Sequence, residues 1–218
     1  MSTDPTSTER MREERTSAER MSTVTCDVGV SVDGFVAGVE QSEEHPLGRG
    51  AEDLHRWMFE TEEENDSEIA AILGHGAYIM GRNMFGPVRG EWDMPWRGWW
   101  GEEPPYRAPV FVLTHFEHEP IEMTGGTTFH FVTDGPAAAM ARAQQAAGDR
   151  GVSVAGGAST IDQFLALGLI DELRLHIAPV VLGAGERLFA ASGPVRLQPI
   201  AARSASLVTH VTYRVGSH

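Results

Sequence analysis

The sequence predicts an α/β fold of three layers: a central, mostly parallel twisted sheet with an antiparallel C-terminal hairpin, and helices on both faces. Three observations predict it. Strand-like stretches alternate with helix-like ones from Val24 to Leu169, the order that builds parallel sheets. Val110-Phe111-Val112-Leu113 is apolar throughout, as suits a strand buried on both sides. Two further strand candidates, 195–202 and 206–215, have no helix between them and therefore pair as a hairpin.

Each element has its own signal. Val24 to Val30 reads as the first strand, closed by the turn chemistry of Ser31-Val32-Asp33-Gly34. A loop rich in Gly and Glu over 38–50 leads to a predicted helix from Ala51 to Phe59, with Leu54, Trp57 and Met58 at i, i+3 and i+4. The acidic run from Glu60 to Glu68 opens a second helix, capped near Asn65 or Asp66, where negative charge suits the helix dipole. Ala77 to Gly81 is a short apolar strand, and a loop rich in Gly, Pro and Trp fills 86–107. Strands at 110–113 and 129–132 follow. Asp134-Gly135-Pro136 starts a helix with Pro136 at N1 and Gly148 past its end, and Ala137, Met140, Ala141 and Gln144 are predicted to share its inner face. Val152 to Ala155 is a strand entering Gly156-Gly157. Ser159 or Thr160 caps the next helix, whose Ile161, Phe164, Leu165 and Gly168 form a core-facing stripe. Leu173, Leu175 and Ile177 then alternate with Arg174 and His176 in a half-covered strand.

Composition excludes several chemistries. The 218 residues carry a net charge of −14, and all 17 basic residues are arginine. A chain without lysine has no lysine nucleophile, no Schiff base and no P-loop lysine. The negative charge repels nucleic acid and anionic membrane alike, so neither is an expected partner. The single Cys26 makes no internal disulfide. With no secretory pattern and no apolar run of the roughly 18 residues a span needs, the expectation is a cytoplasmic protein. Residues 1–21, nearly devoid of apolar side chains, are expected to be a disordered tail, and 22–218 a single domain.

The strongest local signal is Val154-Ala155-Gly156-Gly157-Ala158-Ser159-Thr160, a strand feeding glycines that open a helix. Such a turn lets backbone N–H groups approach a phosphate, or it is simply a tight strand-to-helix connection. Gly81-Arg82-Asn83 also follows a strand, and Arg82 is either a fork for a phosphate or one half of a surface ion pair. Thr114-His115 ends the 110–113 strand, at the end where open α/β sheets hold ligands. Asp33 either faces a substrate amine, alcohol or proton, or bonds its own turn. Trp92, Trp96, Trp99 and Trp100 crowd one loop, as a lid, a stacking platform or plain packing. His115 and His118 are the only close pair of metal-ligand types, without a supporting motif, so no metal site is assigned. Gly183-Ala184-Gly185 lacks the third glycine of a dinucleotide fingerprint and follows Pro179, which rules it out as one.

Taken together, the motifs resemble one family. Ser31-Val32-Asp33-Gly34-Phe35-Val36-Ala37-Gly38, Met80-Gly81-Arg82-Asn83-Met84-Phe85, Val112-Leu113-Thr114-His115, and the run from Val154 through Leu169-Ile170-Asp171-Glu172-Leu173 to Pro179-Val180-Val181-Leu182-Gly183-Ala184-Gly185 are similar, in order and spacing, to the dihydrofolate-reductase-like superfamily. Within it they resemble the C-terminal reductase domain of bacterial riboflavin-biosynthesis proteins. That resemblance implies a homodimeric reductase, using NADPH, that transfers a hydride to a small planar heterocyclic or carbonyl/imine substrate, like 5-amino-6-(5-phosphoribosylamino)uracil reductase. It implies that Ala155, Gly156, Gly157, Ala158, Ser159 and Thr160 cradle the pyrophosphate, that Gly81, Arg82 and Asn83 contact the phosphate–ribose region, and that Thr114 and His115 lie near the adenosine 2′-phosphate. Val36, Ala37 and Gly38 would border the nicotinamide, with Asp33, Gly34 and Trp57 on the substrate side and Asp33 in the catalytic role. Two rival readings are a dihydrofolate reductase, whose folate carboxylate would be Glu52 or Asp53, and a noncatalytic binder of small aromatic ligands on the same fold.

Overall fold

The computed structural model describes residues 22–87, 90–92 and 94–216; the tail expected over 1–21 lies outside them. In chain order the strands are β1 (Val24–Ser31), β2 (Phe35–Ala37), β3 (Ala77–Gly81), β4 (Pro109–Leu113), β5 (Ile121–Glu122), β6 (Thr128–Val132), β7 (Val152–Gly156), β8 (Glu172–Ala178), β9 (Glu186–Arg187), β10 (Leu197–Ala205) and β11 (Val208–Val215). The α-helices are α1 (Arg56–Glu60), α2 (Asp66–Leu73), α3 (Arg82–Phe85), α4 (Pro136–Ala147) and α5 (Ala158–Ala166).

Nine strands form one sheet in the order β10-β11-β8-β1-β7-β3-β4-β6-β5. The central pairings from β8 to β6 are parallel. β11 joins β8 and β10 antiparallel, as the hairpin pattern predicts. β2 and β9 pair separately, and short β5 runs antiparallel to β6; neither stands out in the sequence.

Alternation along the strands sorts the layers. Val24, Cys26, Val28 and Val30 of β1, Ile79 of β3 and Leu173 of β8 face α4 and α5, forming one core with Met140, Ala143, Ile161, Phe164 and Leu165. On the opposite face Tyr78, Met80, Val110 and Val112 pack with Phe85 and the tryptophan loop. The rest of that face, over β1, β8 and β11, lies under α1 and α2.

Several expectations shift by a turn. Residues 52–55 form a 3₁₀ turn, and regular helix begins only at Arg56. Asn65 does occupy the N-cap of α2, but its side chain makes no cap bond. Gly157, not Ser159 or Thr160, is the N-cap of α5. In α4 the buried face is Ala139, Met140, Ala143 and Ala147; Ala137 and Ala141 point outward. Alanine dominates this helix, and its small uniform side chains leave the sequence pattern without phase information. Pro136 sits at N1 and Gly148 ends the helix as expected. Among the described residues no helix is long and apolar enough to cross a membrane.

Candidate functional site

The sheet order places the carboxyl ends of β1, β7, β3 and β4 side by side, which gathers most of the predicted site residues along one edge. Gly81, at the end of β3, lies directly under the first turn of α5. A Cβ there would fall 2.3 Å from Thr160 Oγ1, so only glycine permits this approach. The Gly156–Gly157 peptide is cis. Gly157 is half-buried, and a Cβ on it would meet no atom within 4 Å, so the turn is open above the glycine. No side chain caps the start of α5. Backbone N–H groups of its first turn have no carbonyl partner within the helix, and the dipole makes that end positive. Ser159 and Asn83 are exposed beside it, and Ala155 is half-buried.

Arg82 packs beneath aromatic rings. It is 9% exposed, with its guanidinium carbon 3.5 Å from the ring centre of Trp92 and 5.3 Å from that of Phe116. Its Nη1 donates to Thr114 Oγ1 at 3.4 Å. Thr114 is buried and also accepts from the Phe116 backbone N–H, while His115 is exposed. The tryptophan loop is packed rather than free. The indole N–H groups of Trp96 and Trp99 donate to the carbonyls of Phe85 and Met84, capping the unsatisfied C-terminal end of short α3. Trp92 donates to Phe116 O and packs on Phe131 and His118. His118 is thus held in an aromatic cluster, and among the described residues no group of three or more His, Cys, Asp or Glu is placed to hold a metal.

Asp33 is an anchor. Its carboxylate accepts from Ser31 Oγ at 2.7 Å, Leu182 N at 3.1 Å and Gly183 N at 2.7 Å. The Ser31 hydroxyl, with those two amides, pulls its pKa from the ordinary 3.8 to about 2. A carboxylate held that far below neutrality stays ionised near neutral pH, and its oxygens are already engaged by protein donors. It fastens the 180–185 turn, the segment that resembled a nucleotide fingerprint, to the end of β1. Gly34 lies beside Arg187, which donates to Asp33 O and stacks on Phe35. Ala37 and Gly38 are buried, and a Cβ on Gly185 would lie 2.0 Å from Ala37 O. Of the trio expected at the nicotinamide, only Val36 is half-exposed.

Trp57, expected on the substrate side, is buried under the sheet. It is 1% exposed, with its ring against His176 and His210 at 4.9 and 5.1 Å. Glu52 and Asp53, the candidates for a folate carboxylate, are exposed, and Asp53 pairs with Arg56. The buried acids are elsewhere. Asp162 on α5 accepts from Phe189 N at 2.9 Å and Ala191 N at 2.8 Å, tying the 189–191 turn to the helix. Asp27 lies in the middle of β1 beneath Trp57's neighbour His176. The alternation of β8 marks Arg174 and His176 as facing away from the core, but not that α1 and α2 cover them. An acid inside the apolar run Val24 to Val30 is the one clue to that polar layer.

The sequence matches the RibD C-terminal domain family over residues 22–211. The chain belongs to that family. Its fold is shared by the riboflavin biosynthesis reductase of Saccharomyces cerevisiae, with a TM-score of 0.54 at 14% identity over 98% of this chain and 95% of that one. It is shared also by dihydrofolate reductase from Enterococcus faecalis, solved with NADP(H), with a TM-score of 0.55 at 12% identity over 89% of this chain and 97% of that one. An uncharacterized Bacillus subtilis protein, YyaP, is 65% identical over 34 residues, which span 16% of this chain and only 18% of that protein. Membership of the RibD C-terminal domain family and a dihydrofolate-reductase-like architecture are therefore shown for this chain.

Proposed function

We propose that this chain is an NADPH-dependent reductase of small planar heterocyclic or carbonyl/imine substrates, acting as a homodimer in the cytoplasm, with residues 22–218 as its single reductase domain. The observation that carries the reading is the Gly156–Gly157 turn: an uncapped helix start with open space over Gly157, at the carboxyl edge of the sheet and locked to β3 through Gly81 and Thr160. These residues fit a pyrophosphate. The cofactor, when bound, supplies the hydride. The chain supplies position: Ser159 and the first amides of α5 hold the phosphates, and Asn83 and His115 flank them. Asp33 and Arg187 stiffen the turns beside Val36. Arg82 reaches a ribose phosphate only when Trp92 moves off its guanidinium.

Titration of NADPH against intrinsic fluorescence tests the reading. Saturable binding is expected, weakened in Gly157→Val. No binding at about 1 mM cofactor, the upper end of ordinary KM values, overturns it.

A further inference from the structure

The nine-stranded sheet has two edges of unequal kind. At one, β5 is two residues long, too short to recruit another strand. At the other, β10 runs for nine residues, and its outer side pairs with no strand. Every residue from Gln198 to Ser204 is exposed, so neither face of this strand is buried. An open edge carries a row of backbone donors and acceptors whose complement is another strand, and sheets guard it with charge, proline, bulges or cover. Here the guards stand only over the first part of β10. Pro199 withholds one N–H, and the register with β11 is irregular between Pro199 and Ala201. From Ala201 to Ala205 the register is regular, and the one charged side chain, Arg203, is turned back onto Glu68 and Asn65.

The charges around this edge are sorted by end. Residues 187–216 contain four arginines and no acid, in a chain of net charge −14. Two of them, Arg196 and Arg214, are exposed at the start of β10 and on β11 across from it. Neither makes an ion pair among the described residues. The far end of β10 is acidic. Ser206, in the turn after the strand, donates its N–H and its hydroxyl to Glu64. Glu64 belongs to the run from Glu60 to Glu68, six acids without a basic residue, in which Glu62, Glu63 and Asp66 are exposed.

We infer that β10 is the contact through which two copies of this chain associate, each strand pairing antiparallel with its counterpart about a twofold axis. The inference rests on the homodimer in the reading above and on no other part of it. Pairing about the midpoint of β10, Ala201, sets Leu197 of one copy opposite Ala205 of the other. The basic end of each strand then meets the acidic end of its counterpart, and the twofold axis makes that match twice. A parallel arrangement would set like charge beside like. A strand from another protein would meet the open edge but not this end-to-end pairing of charge. Nine residues a side is fewer than the roughly 20–30 of a standard interface, so the dimer is reversible.

The test is sedimentation of the full chain without cofactor, from about 1 to 100 μM. A dimer that dissociates on dilution is expected, weaker at high salt because exposed charges are screened. Ala202→Lys sets a charge on the open edge, and Arg196→Glu reverses one of the meeting ends. Each alters an exposed side chain and should raise the dimer Kd about tenfold or more, with the circular dichroism spectrum kept. Hydrogen exchange gives a readout that needs no variant: amides within 201–205 should be protected at high protein concentration and lose that protection on dilution. A monomer at every concentration overturns the inference and the homodimer together. A dimer that ignores both variants and leaves the 201–205 amides unprotected overturns the inference alone and moves the contact to another face. NADPH plays no part in the measurement, so the reductase reading stands or falls separately.

Discussion

Asp27 and Asp33 sit on one strand and the turn that ends it, and they meet opposite fates. Asp33, at the rim, has its carboxylate filled by one hydroxyl and two amide N–H groups. Asp27, sealed under α1 and α2, has ion-pair distances of 3.5 and 3.7 Å and no hydrogen bond. Asp162 completes the comparison: it is as buried as Asp27, yet like Asp33 its two oxygens accept backbone amides. Burial alone therefore does not give an acid its role. An acid whose oxygens are filled by backbone amides fastens the chain it bonds, whereas Asp27 is held only by the charges of its neighbours.

The largest effect that sharpens this contrast is expected at Asp162. Asp162→Ala strands two backbone N–H groups at the 189–191 turn, at about 1–3 kcal/mol each before relaxation. Urea denaturation should show a loss of about 2–4 kcal/mol. A change below about 0.5 kcal/mol would mean that water satisfies those amides and that the turn is not held by the helix. The next effect is one of pH. Burial, reinforced by the neighbouring His176, depresses His55 and His210 from 6.5 to about 4. Between those values the unfolded chain binds more protons than the folded one, so stability falls as pH drops from about 6.5 towards 4. His210→Gln should flatten that slope in pH-dependent denaturation; an unchanged slope would place the titrating groups elsewhere.

Asp27→Asn should run against Asp162→Ala. It removes a charge with no hydrogen bond and costs less than about 1 kcal/mol, or stabilises. A loss as large as that of Asp162→Ala in the same urea experiment would show that Arg174 and His176 already satisfy Asp27, and the contrast between the two buried acids would collapse.

This contrast also marks where sequence reading stops. The sheet was legible because its signals are local: four apolar residues in β4, alternation in β8, a proline at N1 of α4. The carboxyl edge drew notice through glycines at strand ends, but the close packing of Gly81 on Thr160 is a feature that sequence alone did not announce. Side-chain duty was not legible. Whether Asp33 faces a substrate or a backbone amide depends on Leu182 and Gly183, 149 and 150 residues away. Whether Arg82 is open depends on where a loop tryptophan comes to rest. Trp57 fell on the correct face of its helix, but what that face covers, two histidines from β8 and β11, is decided by tertiary packing.

The smallest effect is local and belongs to Asp33. The folded pKa of about 2 lies below the ordinary 3.8, so the ionised carboxylate contributes stability above about pH 4 and loses it as pH falls through about 2. Asp33 lies at the solvent-facing rim, so the consequence is confined to the turn it fastens. Hydrogen exchange at Leu182 and Gly183, corrected for intrinsic rates, should be slow in the wild type near neutral pH. It should be faster in Asp33→Ala, with exchange in the sheet core unchanged. Asp33→Asn keeps an acceptor for one amide and should fall between them. If Asp33→Ala instead leaves the turn protected while abolishing turnover of a reductase substrate, the carboxylate acts on substrate after all. The division drawn between filled and unfilled acids would then fail at its best-bonded member.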